Sequence, residues 1–280
     1  MKTTSAIALP DYSVTMSVYG KEQPDFLRLS IKSIVEQSHR TNDFIIVCDG
    51  ELTDGLNNVL DDAQREYPDT VRVIRTKKHV GTAASANMAL KLCKNEYIGK
   101  MDSDDIALPH RFEMQLRRMM LHPELDIIGG YIEEFDSDSG NAISVRKVPL
   151  SNDAVHRFAK RRNPFNNPTL LFKKSAALAS GGYSEDLARC EDYDFVVKML
   201  ADGAVGGNIP QVVLKYRITE ENYRRRRNFA NTKAFIAVRW RIYRSGYSSL
   251  LDFLIPCAAQ LALFLLPSSL TGHIYRKAIR

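Results

Sequence analysis

The sequence predicts an α/β fold: a Rossmann-like, mostly parallel sheet flanked by helices, followed by a helical C-terminal extension. Three observations predict it. Strand-length apolar runs alternate with amphipathic helical segments four times within the first 100 residues. Turn residues and acids cluster where those strands end. The charge changes sign late in the chain, with 13 Lys/Arg against three acids from residue 215 onward, so a mildly acidic body carries a strongly basic tail.

The elements follow in order. Tyr12, Val14, Met16 and Val18 alternate with Ser13, Thr15 and Ser17, the period of a strand with one apolar face. Leu27, Ile31, Ile34 and Val35 recur at helical spacing. Residues 44–47 are continuously apolar, as in a strand buried on both faces, and end in Cys48-Asp49-Gly50. Thr53 is placed to cap a second helix whose inner face is Leu56, Val59, Leu60 and Ala63. Residues 71–74 read as a third strand, 81–93 as an Ala-rich helix and 97–101 as a fourth strand ending in acid. Parallel strands joined by helices bring their carboxyl ends to one crevice, where ligands bind. Tyr19, Asp49 and Asp102 stand at those ends and are expected to share one cleft.

After Asp105 the rhythm changes. A helix is expected over 109–121, an apolar stretch about 127–132, then a loop rich in Asp, Ser and Gly closed by 146–149. A basic stretch at 160–162, an Asn/Pro loop at 163–168, a strand at 169–172, a helix from about Glu191 and a strand at 212–216 complete the body. The division is residues 1–218 as a catalytic domain, with halves at about 12–105 and 106–218, and 219–280 as a helical tail.

Composition excludes several classes. A hydrophobic share of 44% and a charged share of 26% fit neither a disordered nor a collagenous chain. Cys48, Cys93, Cys190 and Cys257 are far apart, with no C-x-x-C and no histidine at zinc-ligand spacing, and are expected as reduced thiols in the cytosol. The first eleven residues show no leader pattern, which suits a protein that is not secreted. Neither G-x-G-x-x-G nor a P-loop is present, against a dehydrogenase or an NTPase.

Asp102-Ser103-Asp104-Asp105 concentrates three carboxylates at a strand end, where mutual repulsion is relieved by a hard divalent cation or by water. Glu191-Asp192 opens a helix with Phe195, Val196, Met199 and Leu200 on its apolar face. Acids in a first turn are favoured by the helix dipole, and a general base is the alternative use. His110, just after the acidic motif, is a minor diphosphate candidate.

Several ordered motifs resemble family 2 glycosyltransferases: residues 14–19 with the helix ending at 33–38, Ile45-Ile46-Val47-Cys48-Asp49-Gly50, residues 79–87, and 100–111 with Asp-Ser-Asp-Asp and Leu-Pro-His-Arg. Residues 162–169, Gly181-Gly182-Tyr183 and Cys190-Glu191-Asp192-Tyr193-Asp194 extend the resemblance over about 12–217, nearest to the bacterial subgroup that builds exopolysaccharide, capsule or O-antigen units. It implies a GT-A fold and inverting transfer from a nucleoside-diphosphate sugar, UDP-hexose by family frequency, to a saccharide hydroxyl. It further implies that Asp49 meets the base, Asp102 the ribose side and Asp104 an Mn²⁺ or Mg²⁺ ion, with Asp105 in support. Asn87 would shape the donor pocket, and Asp192 would be the general base with Glu191 beside it. Tyr19, at its strand end, is placed to stack on the nucleotide base, with plain packing as the alternative. Cys48 stands where the family has the first acid of its D-D-G segment, and Asn167 where relatives often carry His.

The tail reads as a basic amphipathic helix for an anionic membrane surface: Arg224 to Arg227 are continuous, and Lys233, Arg239, Arg241 and Arg244 follow among Phe229, Phe235, Ile236, Trp240 and Tyr243. Residues 250–267 are apolar but interrupted by Asp252, Pro256 and Gln260, which favours interfacial or re-entrant insertion over spanning, with packing on the core as the alternative. Attachment to the cytoplasmic face of the inner membrane would suit an acceptor carried on a polyprenyl lipid, and no nucleic-acid partner is expected. Two other classes remain open on residues alone. They are a binding module that holds nucleic acid or membrane through the tail, and a sugar-nucleotidyltransferase, although Gly20-Lys21-Glu22 is a poor triphosphate loop.

Overall fold

The structure, a computed structural model, describes residues 8–187, 189–219 and 229–265. The basic run 224–227 and the end of the apolar tail at 266–267 lie outside the described residues. The first half alternates strand and helix: β1 (Tyr12–Tyr19), α1 (Pro24–Val35), β2 (Asp43–Asp49), α2 (Asp54–Glu66), β3 (Val71–Arg75), α3 (Thr82–Leu92) and β4 (Tyr97–Asp102). These four strands are parallel in the order β3-β2-β1-β4.

Burial explains the pattern. β2 is buried along its whole length: Phe44, Ile46 and Cys48 join one apolar layer, Ile45 and Val47 the other. β1 sends Tyr12, Val14, Met16 and Val18 into the first layer, beneath α1 and α2, and leaves Thr15 and Ser17 on the side where the ligand cleft opens. Thr53 caps α2, its Oγ1 accepting from Leu56 N at 3.4 Å.

The second half is mixed. β5 (Ile106–Ala107), α4 (Arg111–Leu121), β6 (Leu125–Asp136), β7 (Ala142–Arg146), α5 (Asn152–Ala159), a 3₁₀ turn (Asn167–Thr169), β8 (Leu171–Lys173), α6 (Lys174–Ala179), α7 (Glu191–Ala201) and β9 (Val205–Ile218) follow. β8 joins β4 to β6 by antiparallel pairing, β6 and β9 run parallel, and β5 closes the edge. Three features differ from the sequence expectations. The Asp/Ser/Gly segment is the tip of a β6–β7 hairpin, in which Asp136 Oδ1 accepts from Ser139 N at 2.8 Å. Helix α5 separates 146–149 from the basic stretch. β9 is much longer than 212–216, because Gly206, Gly207 and Pro210 are carried inside it around a register shift.

The tail begins with α8 (Phe229–Arg244) and α9 (Leu250–Leu265). Val238 and Ile242 of α8 are buried in the second apolar layer, and Arg161 Nε reaches Asp252 Oδ1 of α9 at 2.6 Å. The tail therefore packs on the catalytic body in part. Two of the basic residues expected to face an anionic membrane surface instead engage the body: Arg239 is buried, and Arg241 pairs with Asp186 and, at 3.7 Å, with Asp194. Leu251, Leu254 and Ile255 remain exposed on α9. No helix among the described residues is long and apolar enough to cross a membrane.

Candidate active site

A hollow of about 400 Å³ opens beyond the carboxyl ends of β1, β2 and β4. Tyr19, Asp49, Asp102, Asp104, Glu191 and Asp192 all line it, although they come from widely separated segments. The topology accounts for the convergence: β1 is registered against both β2 and β4, with Tyr19 opposite Asp49 and Ser17 opposite Asp102. α7 adds its first turn from the other side of the cleft.

Asp49 is held by backbone. Its Oδ1 accepts from Val80 N at 2.6 Å, its Oδ2 from Gly81 N at 3.1 Å, and His79 Nδ1 lies 2.9 Å from Oδ2. One carboxylate thus fixes both the loop before α3 and the exposed imidazole at the cleft edge. Gly81, with φ +95°, is in the left-handed region that this approach to the helix needs.

The acids repel one another in a poorly solvated place. Burial first, and then the charge of Asp102, pushes Asp104 up to about 6. Burial first, then Asp104 and Asp102, carries Asp105 well above the carboxylate range. Asp105 is fully buried behind the cleft, where its Oδ1 accepts from Arg217 N at 2.9 Å. Burial and then Asp192 push Glu191 up to about 7. Burial also raises Asp192, against the lowering effect of Lys100.

Lys100 is the residue that sequence reasoning passed over. It lies on β4 between the two acid groups and pairs with Asp102. Burial alone would depress its ammonium, but Asp102, and then Asp192 and Glu191, hold it above the ordinary lysine value. It is the internal counter-charge of the cleft. Two further side chains were visible in the motifs without a role. Asn163 Nδ2 donates to Asp192 Oδ2 at 3.3 Å. Arg111, fully buried, donates through Nη2 to Lys100 O at 2.7 Å and Leu170 O at 3.3 Å, tying β4 to the Asn/Pro loop. The backbone before Asp192 is also unusual: Cys190, at φ 63°, is left-handed without being glycine. That costs about 1 kcal/mol and sets the direction in which α7 begins.

Asn87, expected to shape the donor pocket, does not itself line the cleft. Its Nδ2 donates to Tyr183 O at 2.9 Å and Glu185 Oε1 at 2.8 Å, and its Oδ1 accepts from Tyr183 N at 2.8 Å. It instead fixes Tyr183, a cleft residue that stacks on Phe195 with centroids 4.1 Å apart. His110 is also outside the cleft, 3.3 Å from Glu113 Oε2.

No group of three or more His, Cys, Asp or Glu side chains among the described residues is arranged to hold a metal. Asp104 and Asp102 still offer hard oxygen donors whose mutual repulsion a divalent cation would relieve, and Asp105 Oδ2 is buried without a hydrogen-bond partner among the described residues. A carboxylate pair of this kind would suit a hard divalent cation. Asp192, Asp102 and Tyr216 also line an adjoining hollow, so Asp192 stands in the wall between two cavities.

Known proteins share this arrangement of elements. A family model described as Glycosyl transferase family 2 matches residues 13–178. The Escherichia coli protein named UDP-Gal:alpha-D-GlcNAc-diphosphoundecaprenol beta-1,3-galactosyltransferase is 34% identical over 271 residues, 97% of each chain. The amylovoran biosynthesis glycosyltransferase AmsE of Erwinia amylovora is 30% identical over 80% of this chain and 82% of its own. Among solved structures, S. aureus TarS 1-349 in complex with UDP-GlcNAc has a TM-score of 0.64 at 15% identity, over 96% of this chain and 73% of that one. The chain spans 46% of a longer TarS chain. At these identities TarS bears on the fold alone.

Proposed function

The chain belongs to glycosyl transferase family 2, and from that premise we propose that it inverts the anomeric centre of a UDP-hexose while transferring the sugar to a lipid-linked saccharide. The observation that carries this reading is Asp192, a half-buried carboxylate in the wall between two adjoining hollows. One hollow is lined by strand-end acids suited to a nucleotide sugar, and the other is open to an acceptor. The E. coli relative is named for a UDP-sugar donor and a diphosphoundecaprenol-linked acceptor, which supports both substrate classes here.

In this mechanism Asp192 takes the proton from the acceptor hydroxyl as its oxygen attacks the anomeric carbon. The bond from that carbon to the diphosphate oxygen breaks, and its electron pair leaves with UDP. Displacement from the opposite face turns an α-linked donor into a β-glycoside. Burial raises Asp192 toward the working pH of a base, while Lys100 keeps it ionisable. Asn163 orients its Oδ2. Asp104, with Asp102 beside it, would hold Mn²⁺ or Mg²⁺, which supplies positive charge to the departing diphosphate. Tyr19, Asp49 and His79 border the same hollow and suit the nucleoside end.

For the tail, the exposed Leu251, Leu254 and Ile255 of α9 support a peripheral seat on a membrane, which we place on the cytoplasmic face. That seat brings the cleft to a lipid-carried acceptor.

The test is Asp192→Asn in the full chain. Transfer should fall by a factor of about 10³ or more while UDP affinity, measured by calorimetry, stays near wild type. Turnover within about tenfold of wild type would remove Asp192 from the role of base.

A further inference from the structure

Helix α7 carries Asp192 in its first turn, and that turn is also held from the side away from the cleft. Successive residues of a helix point about 100° apart, so Asp192 and Asp194 leave the axis about 200° apart, toward nearly opposite sides. Asp192 faces the cleft, where Asn163 Nδ2 donates to it at 3.3 Å. Asp194 is turned into the body, and its side chain is only 2% exposed. A carboxylate so deeply buried destabilises the turn that carries it unless its charge is answered.

The answer comes from the body and from the tail. Ser184 Oγ donates to Asp194 Oδ2 at 2.6 Å, and Lys198 Nζ, one turn along α7, lies 3.8 Å from the same oxygen. Burial pushes that ammonium below the ordinary lysine value. The other oxygen, Oδ1, meets Arg241 of α8, whose Nη1 is 3.7 Å away. Arg241 Nη2 is engaged by Asp186, and the two carboxylates, Asp186 first, hold the guanidinium above the ordinary arginine value. Tyr193 lies between the two acids of α7. Its hydroxyl donates to Ala159 O at 2.6 Å, and Arg239 of α8 sits 5.3 Å from the centre of its ring while donating to Arg161 O at 2.8 Å. Helix α8 therefore bears on both residues that follow Asp192.

We propose that Arg241 is a positioning residue for transfer: from the C-terminal extension it holds Asp194, and through the first turn of α7 it aims the Asp192 carboxylate at the acceptor hydroxyl. The proposal rests on the reading of Asp192 as the base and adds what aims it. The backbone of its own turn, at Tyr193, also hydrogen-bonds the Asp192 carboxylate, so a tilt of that turn moves the carboxylate directly. A misplacement on the order of 1 Å at a reacting group costs as much as about 10²-fold in rate. Tyr19, Asp49 and Asp102 meet the donor cleft from β1, β2 and β4, so nucleotide binding should be indifferent to Arg241. The C-terminal extension is in this way a working part of the transfer site, in addition to any role at a membrane.

The test uses the full chain at a temperature where every variant is folded, with UDP release from UDP-galactose as the kinetic readout and UDP titration calorimetry for the donor site. Arg241→Gln should lower kcat by about 10- to 100-fold, while the KM for UDP-galactose and the affinity for UDP stay within about twofold of wild type. Arg241→Lys, which keeps the charge, should restore kcat to within about threefold of wild type. Arg157→Gln, which removes an equivalent charge from the exposed face of α5, should leave it unchanged. Hydrogen exchange supplies a readout independent of turnover. The first hydrogen-bonded amides of α7, from Asp194 N on Cys190 O onward, should exchange about tenfold faster in Arg241→Gln while β1 to β4 keep their protection. A kcat for Arg241→Gln within about twofold of wild type, or a loss that Arg241→Lys does not restore, overturns the proposal. So does a fall in UDP affinity that matches the fall in kcat, or unchanged exchange at the start of α7. Turnover retained in Asp192→Asn would overturn the base reading and this proposal with it, a result distinct from any that the Arg241 variants give. If wild type releases no UDP from this donor, the exchange pattern alone decides whether Arg241 holds the turn.

Discussion

Asn87 separates two accounts of the same residue, one as a donor contact and one as a clamp on Tyr183. In the structure its amide makes three hydrogen bonds, two of them to the backbone N and O of Tyr183, which is 5% exposed. Asn87→Ala leaves both backbone groups in a place that water reaches poorly. At about 1–1.5 kcal/mol for each backbone partner lost, the cost is about 2–3 kcal/mol. For a chain of this size that corresponds to a fall in Tm of about 4–8 °C. Gly182 supplies a second handle on the clamp. It has φ +65°, and a Cβ there would come 2.7 Å from Asn87 Oδ1. Gly182→Ala should therefore also destabilise, through the left-handed backbone and through the collision.

Because the collision needs Asn87, the double variant Asn87→Ala/Gly182→Ala should cost less than the sum of the single changes, by about 1 kcal/mol. Differential scanning calorimetry gives the stabilities, and UDP titration gives the donor affinity at a temperature where each variant is folded. If Asn87→Ala keeps its Tm but weakens UDP binding tenfold, the clamp account is refuted and Asn87 is a donor contact. Strict additivity of the two single changes would refute the collision.

Two further predictions concern the charges of the cleft. Asp104, pushed up to about 6 in the fold, has a folded-state value above its unfolded one. Its ionisation therefore costs stability as pH rises through the folded value, and the cost vanishes below the unfolded value near 4. Asp104→Asn should raise the Tm of the ligand-free protein at pH 8 by about 2–5 °C, with no gain at about pH 4, while abolishing metal-dependent UDP binding; an unchanged Tm at pH 8 would contradict this. Lys100→Met should move the acid limb of the kcat profile upward by about one pH unit, since Asp192 loses a cation that lowers it. A limb that stays in place would reduce Lys100 to a packing role.

The parts of this fold that were legible in the sequence are those whose periodicity belongs to one segment. β1 to β4 and their helices carry their own apolar patterns, and Asp49, Asp102 and Asp104 fall where the pattern stops. The parts that were not legible depend on a partner. β7 is exposed along much of its length and becomes a strand by pairing with β6. β9 hides its first half behind Gly206, Gly207 and Pro210, and a Cβ at Gly207 would come 3.3 Å from Leu125 Cδ2. α5 did carry a readable signal, since Ser151 Oγ caps it by accepting from Ala154 N at 3.4 Å. The same distinction holds in the site. An acid at a strand end announces itself, whereas Lys100 acquires its role only when α7 brings Glu191 and Asp192 over it.

Cys48 shows why a departure from a family motif must be weighed by the direction its side chain takes. It stands where the resemblance has an acid, so it was expected to bear on the choice of base. Yet Cys48 is fully buried in the apolar layer beneath α1 and α2, with burial pushing its thiol up to about 11. It does not line the cleft. Neighbouring positions on a strand point to opposite faces, and Asp49 is the one that lines the cleft. Outside the cleft, the charge that an acid at 48 would have met is already answered: Arg75 Nη2 lies 3.0 Å from Asp61 Oδ1. The substitution is thus absorbed by the core. On the proposed reading, discrimination among bases would fall to residues that line the cleft near Asp49, among them Tyr19, His79 and Thr82.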